Sequence, residues 1–198
     1  MSARRAAVWW MARAPRLAAV LTLAAVLTLS TLAGCGGAPA PKAASSLPQA
    51  GCARADGIEP DFRTLTPWTG PGVAAGALQP GTYTIATTRL QLQLSEQARA
   101  RFLAVMVDIG KTVDRAPGLV GYQIGSSERC AVTRTLTVWQ SEDAMLDFVT
   151  GQAHSAAIDA IPQISRGGSN TAHWQGDQTQ ATWEVAAAKV AADQGPFY

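Results

Sequence analysis

Two histidines, three cysteines and a handful of aromatic residues are the groups in this chain with chemistry to offer. His154 is the first candidate. It follows Gly151 at the break of a predicted helix, and an imidazole titrates near neutrality, so it suits a general base. A histidine simply hydrogen-bonded at a helix break is the plainer reading of the same residue. His173 stands beside Trp174 in a short predicted strand and reads as a sheet residue. Trp139 ends a strand and offers a flat apolar wall for a ring-shaped ligand; core or interface packing is the alternative. Tyr122 and Arg134 fall on neighbouring predicted strands, where they would orient an anionic substrate or pair across the sheet.

Several chemistries lack their residues. Two histidines and no spare thiol give no recognisable zinc or haem site, so no metal is expected. There is no G-x-S-x-G elbow and no phosphate-binding or dinucleotide fingerprint. Asp143 and Asp147 share a helix face, but acids at that spacing read as solvated. No cofactor is expected.

The cysteines carry an address. Leu32-Ala33-Gly34-Cys35 looks like a bacterial lipobox, closing a leader with Arg4, Arg5, Arg13 and Arg16 and no acid. Leu17 to Leu29 is apolar except for Thr22 and Thr28, which is the length of a secretory signal core. A spanning helix needs about 20 apolar residues, so an uncleaved membrane helix is the weaker alternative. Cleavage before Cys35 and lipidation of its thiol would hold the protein at the cell membrane, facing outside the cytoplasm. The remaining chain has 12 Lys+Arg against 14 Asp+Glu, a formal charge of −2. No basic patch is left to suggest nucleic acid. Cys52 and Cys130 then form an even pair, read as a disulfide in an oxidising compartment, with two unrelated buried thiols as the alternative.

The organisation follows. Residues 1–34 are a signal peptide and 35–50 a Gly/Ala/Pro/Ser tether. Residues 51–81 form an irregular arm, broken by Pro60, Pro67, Pro71 and Pro80, that packs on the domain. Residues 82–193 are the domain and 194–198 a tail. Within the domain Leu90, Leu92 and Leu94 alternate with polar residues as in a half-buried strand. Ser95 caps a helix with Ala98, Phe102, Val105, Met106, Ile109 and Val113 at helical spacing. Leu119 to Ile124 is a strand, Gly125-Ser126-Ser127 a hairpin turn, and Ala131 to Trp139 its partner. Ser141 caps a helix through Val149, interrupted at Gly151 and resumed from Ala153 to Ile161, where Pro162 stops it. Ser165 to Ser169 is a loop, Thr171 to Gln175 a short strand, and Thr182 caps a last helix. This β-α-β-β-α-β order is an α+β, ferredoxin-like split βαβ arrangement with an extra C-terminal helix. One sheet face stays bare in such a plan, and a second copy of the sheet is the usual cover.

Residues 82–190 resemble the antibiotic-biosynthesis-monooxygenase-like domains of the dimeric α+β barrel superfamily. The resemblance is carried by Ala116-Pro117-Gly118-Leu119-Val120-Gly121 and by Thr135 to Met145, continuing into Phe148, Gly151 and Ala153-His154. It implies a homodimer with sheets face to face and, in each subunit, a pocket between sheet and helices. Trp139, Tyr122 and Phe148 are candidates for its wall. It also implies binding of a small apolar or aromatic molecule, and oxidation of it by dioxygen without a cofactor. The haem-degrading branch is a poor match. Phe148 stands where its tryptophan falls and Ile158 where its ligand histidine falls. A non-catalytic role in ligand binding or envelope contacts is the competing reading.

Overall fold

A computed structural model of the chain describes Cys52 and residues 57–192. Cys35, the leader, the tether and the tail lie outside the described residues. The elements are β1 (Arg63–Thr64), β2 (Val73–Ala74), β3 (Ala77–Leu78), β4 (Thr82–Leu92), α1 (Glu96–Val113), β5 (Leu119–Ser127) and β6 (Val132–Trp139). They continue with α2 (Glu142–Val149), α3 (Gln152–Ile164), β7 (Ser165–Asp177), a 3-10 turn at Gln178–Gln180, and α4 (Trp183–Ala192). One antiparallel sheet has the order β1-β5-β6-β4-β7. Its four long strands, with α1 and α2–α3 as crossovers, make the ferredoxin-like split βαβ expected from the sequence.

Helix starts follow their caps. Ser95 Oγ accepts from the Ala98 N–H at 3.2 Å, Ser141 Oγ from that of Ala144 at 3.2 Å, and Thr182 Oγ1 from that of Val185 at 3.3 Å. Each satisfies an N–H that the helix cannot.

Two strand boundaries differ from expectation. Gly125 to Ser127 continue β5, and the chain turns at Glu128–Ala131, where Ala131 takes φ 49°. Gly125 is a packing glycine: a Cβ there would collide with the ring of Phe62. Ser127 is held by Asp61 and accepts from the Cys130 N–H at 3.0 Å. Ser165 to Ser169 belong to a 13-residue β7, because Leu92 pairs with Ser165 and Leu90 with Ser169 across a bulge.

The sheet buries both faces. On one, Val113 of α1 and Met145 of α2 pack with Leu119 and Trp139. Ala160 and Ile164 of α3, with Phe102 and Val105, pack with Leu90. On the other face Ile85, Leu136 and Val138 are 0% exposed. They lie beneath Leu78 of the arm and Trp183 and Ala186 of α4. Phe62 meets the Trp183 ring edge-on at 5.1 Å, and Trp183 Nε1 donates to Thr64 Oγ1 at 2.9 Å. The cover assigned above to a second copy of the sheet is therefore supplied by the chain itself. Arm and C-terminal helix together contribute the apolar layer that a bare sheet of Val, Leu and Ile requires.

The arm is fastened at its start. Cys52 and Cys130 form a disulfide across 78 residues. Closing a loop of that length stabilises by about 4–5 kcal/mol in the chain-entropy account. Reduction should lower Tm, and non-reducing peptide mapping should recover a Cys52–Cys130 peptide; two free thiols would contradict the link.

Candidate functional site

Trp139, Phe148 and His154 form one aromatic file. The end of β6 places Trp139 on the helix side of the sheet, 1% exposed, with its Nε1 donating to Thr137 Oγ1 at 2.9 Å. The last turn of α2 lays Phe148 on it, ring centroids 5.2 Å apart. The first turn of α3 brings His154 against Phe148, ring centroids 5.4 Å apart and planes inclined at 64°. The break at Gly151 makes this possible, since it redirects the chain between α2 and α3.

The file leads from the sheet to a groove of about 690 Å³ lying between α1 and α2–α3. Phe148 and His154 line the groove; Trp139 and Tyr122 do not. No strand residue lines it. The pocket implied between sheet and helices is thus displaced outward, because Val113, Leu119, Trp139 and Met145 fill the space between the layers at that end. The volume is within the range of small-molecule sites, roughly 300–1,000 Å³.

His154 is a buried polar group of the groove with unspent capacity. Its Nδ1 is buried and has no hydrogen-bond partner. Burial pushes its pKa below the ordinary 6.5, and the Val149 backbone opposes this in part. The ring is therefore held in its neutral, basic form at neutral pH. The start of α3 adds more: its N-cap is Gly151, which supplies no side-chain bond, and Gln152, Ala153 and His154 all line the groove.

The remaining candidates are placed elsewhere. Tyr122 lies on the helix side of β5, opposite Thr137, and its hydroxyl donates to Asp114 Oδ1 at 3.0 Å. Burial first, then Asp114, pushes its pKa up to about 12. Spectrophotometric titration should show one tyrosine ionising well after an ordinary phenol near 10, and Tyr122→Phe should remove that step. The neutral phenol is favoured in the folded state, so its contribution is complete below pH 10 and is lost as pH rises through 12. Arg134 is on the opposite face of the sheet from Tyr122 and cannot share a substrate with it. Its Nε and Nη2 donate to Glu59 at 3.0 Å each, and Arg89 Nε donates to the same carboxylate at 3.0 Å. His173, half exposed, sits 3.3 Å from Glu142.

Sequence reasoning missed Glu59 and Asp61, which tie the arm to the sheet, and Arg101 and Arg115, which flank the groove. A carboxylate in an irregular segment gives no local sign of its distant partner. Among the described residues no group of three or more His, Cys, Asp or Glu could hold a metal ion.

Neither a family model nor a curated protein sequence matches the chain. Solved structures give likenesses of the fold. A protein from Fusobacterium nucleatum described as a candidate monooxygenase is 14% identical, with TM-score 0.44, over 60% of this chain and 50% of its own length. The chain thus spans half of that protein. Rv0793 from Mycobacterium tuberculosis is 10% identical, with TM-score 0.42, over 46% of this chain and 92% of its own. A variant of SnoaB, a cofactor-independent oxygenase from Streptomyces nogalater, is 16% identical, with TM-score 0.40, over 46% and 90%.

Proposed function

We propose that this protein is a lipid-anchored domain, held outside the cytoplasm, that binds a small apolar or aromatic molecule in the groove between α1 and α2–α3. The observation that carries the reading is the buried, unpartnered Nδ1 of His154, whose ring makes an edge contact with Phe148. A buried acceptor or donor without a partner costs about 1–3 kcal/mol, and a ligand hydroxyl would relieve that cost. Phe148 supplies the flat apolar contact. Cys35 is the anchor in this reading, and Cys35→Ala should release the protein from membranes. Association into a homodimer also belongs to the proposal, through a surface other than the covered sheet face.

A second reading is favoured by the neutral state of His154. As a general base, it would take the proton of a phenolic or quinol hydroxyl, and the substrate would pass its electrons to dioxygen. Oxidation of a quinol then yields a quinone and hydrogen peroxide, with no cofactor in the balance. The two readings separate with 1,4-dihydroxynaphthalene in an oxygen electrode. Oxygen uptake above the uncatalysed rate, abolished in His154→Ala, supports the enzyme. Binding without uptake leaves a carrier or sensor of such molecules. Absence of both removes the groove as a site.

A further inference from the structure

We infer that the groove selects aromatic or apolar molecules bearing a carboxylate, an inference that rests on the binding reading above and narrows its ligand. The floor is apolar: Ala104 and Val105 of α1 face Phe148 and Ala153. Five charged side chains stand around it. Lys111 and Asp108 satisfy each other, with Nζ 2.8 Å from Oδ1. That leaves Arg101, Arg115 and Asp147, an excess of one positive charge. Among the described residues neither arginine side chain has an ion-pair or hydrogen-bond partner. His154 adds no charge, because burial keeps its ring neutral near pH 7.

The geometry favours a planar anion. A guanidinium offers two parallel N–H donors that match a carboxylate, and long arginine side chains at the rim can reach a group seated over the floor. Arg101 and Arg115 belong to α1 or its C-terminal extension, and Asp147 belongs to α2 on the facing wall. A carboxylate would therefore turn toward α1 and away from Asp147. The aromatic body is left against Phe148 and the small alanines, which allow close approach. Arg101 and Arg115 stand about 21 Å apart along α1, so one ligand meets one of them. A neutral ligand would use the floor but none of the charge, and a cation would meet the net positive charge of the rim.

The test is calorimetric titration of the full chain in detergent, with the micelle-only titration subtracted. The probes are 1-naphthoate, 1-naphthylmethanol and 1-naphthylmethylammonium, which share a ring system and differ in charge. A charge-assisted hydrogen bond to a guanidinium is stronger than a neutral one, so naphthoate should bind about tenfold more tightly than the alcohol. The ammonium compound should bind most weakly. Arg115→Gln and Arg101→Gln, both on exposed side chains, should together erase the preference, read as the ratio of the acid's affinity to the alcohol's in the same variant. Raised salt should narrow it. Equal affinity for acid and alcohol, or a preference that survives in the double variant, would overturn the carboxylate inference while the groove stands. Failure of all three probes to bind would overturn the groove reading and this inference with it.

Discussion

Glu59→Gln should destabilise the protein by about 3–5 kcal/mol, the cost of breaking a buried ion pair by removing one partner. Three donors from two arginines converge on this one carboxylate, whose side chain is 1% exposed, against 4% for Arg89 and 0% for Arg134. Arg89 and Arg134 stand directly opposite each other on β4 and β6, so without Glu59 two like charges face each other away from water. Arg134 Nη1 already lacks a partner. The glutamine keeps the volume and some hydrogen bonds but not the charge. Because Glu59 also ties the arm to the sheet, the variant should loosen residues 57–81 in hydrogen exchange, exposing Leu136 and Val138. Burial alone would raise the Glu59 pKa; Arg134 and Arg89 together outweigh it and hold it below 4.5. Its contribution is thus present above pH 4.5 and is lost as pH falls through the depressed value. The wild type should lose that stability only below pH 4.5, and Glu59→Gln should show a flatter acid limb in urea titrations. A change within 0.5 kcal/mol would contradict the account of the arm.

Trp139→Ala should cost about 3–5 kcal/mol, the range for emptying a large buried aromatic site. The side chain packs with Val113, Leu119 and Met145, and these cannot all collapse onto an alanine because they come from three separate elements. The functional consequence is more telling than the loss of stability. Phe148 rests on Trp139, so the groove wall loses its support although Trp139 does not line the groove. Binding of 1-naphthoate should weaken in the variant under conditions where far-UV dichroism still reports a folded protein. Trp183→Ala, on the opposite face, serves as the control: similar destabilisation without that loss of binding.

The regular part of the fold was legible because its signals are local. Ser95, Ser141 and Thr182 announce helix starts by their own side chains, and the alternation around Leu90 announces a strand. The failures share one cause, which is that the deciding partner lies far along the chain. Gly125 looks like a turn residue until the ring of Phe62 fills the space where its side chain would be. Arg89 looks like the solvent side of a half-buried strand until Glu59, thirty residues earlier, closes over it. Gly70-Pro71-Gly72 is the turn its residue types suggest, with the Val73 N–H donating to the Gly70 carbonyl at 3.2 Å, but those types do not show that side chains at Gly70 or Gly72 would strike Val120 and Gly121 of β5. The arm is thus a fitted layer, and its short strands β1, β2 and β3 are too brief to show a period. For the site, residue type singled out His154, and the resemblance singled out Phe148. The groove itself depends on how α1 and α3 pack, which places Arg101 and Arg115 beside residues some forty positions away.

Histidine NMR tests the central claim most directly, since the chain contains only two histidines and one variant assigns both Hε1 signals. His154 should titrate below 6.5, and saturation with 1-naphthoate at pH 7 should shift its signal while that of His173 stays in place. The opposite pattern, an ordinary or raised pKa for His154 and no response to a ligand that calorimetry shows to be bound, would contradict the assignment of the groove as the binding site.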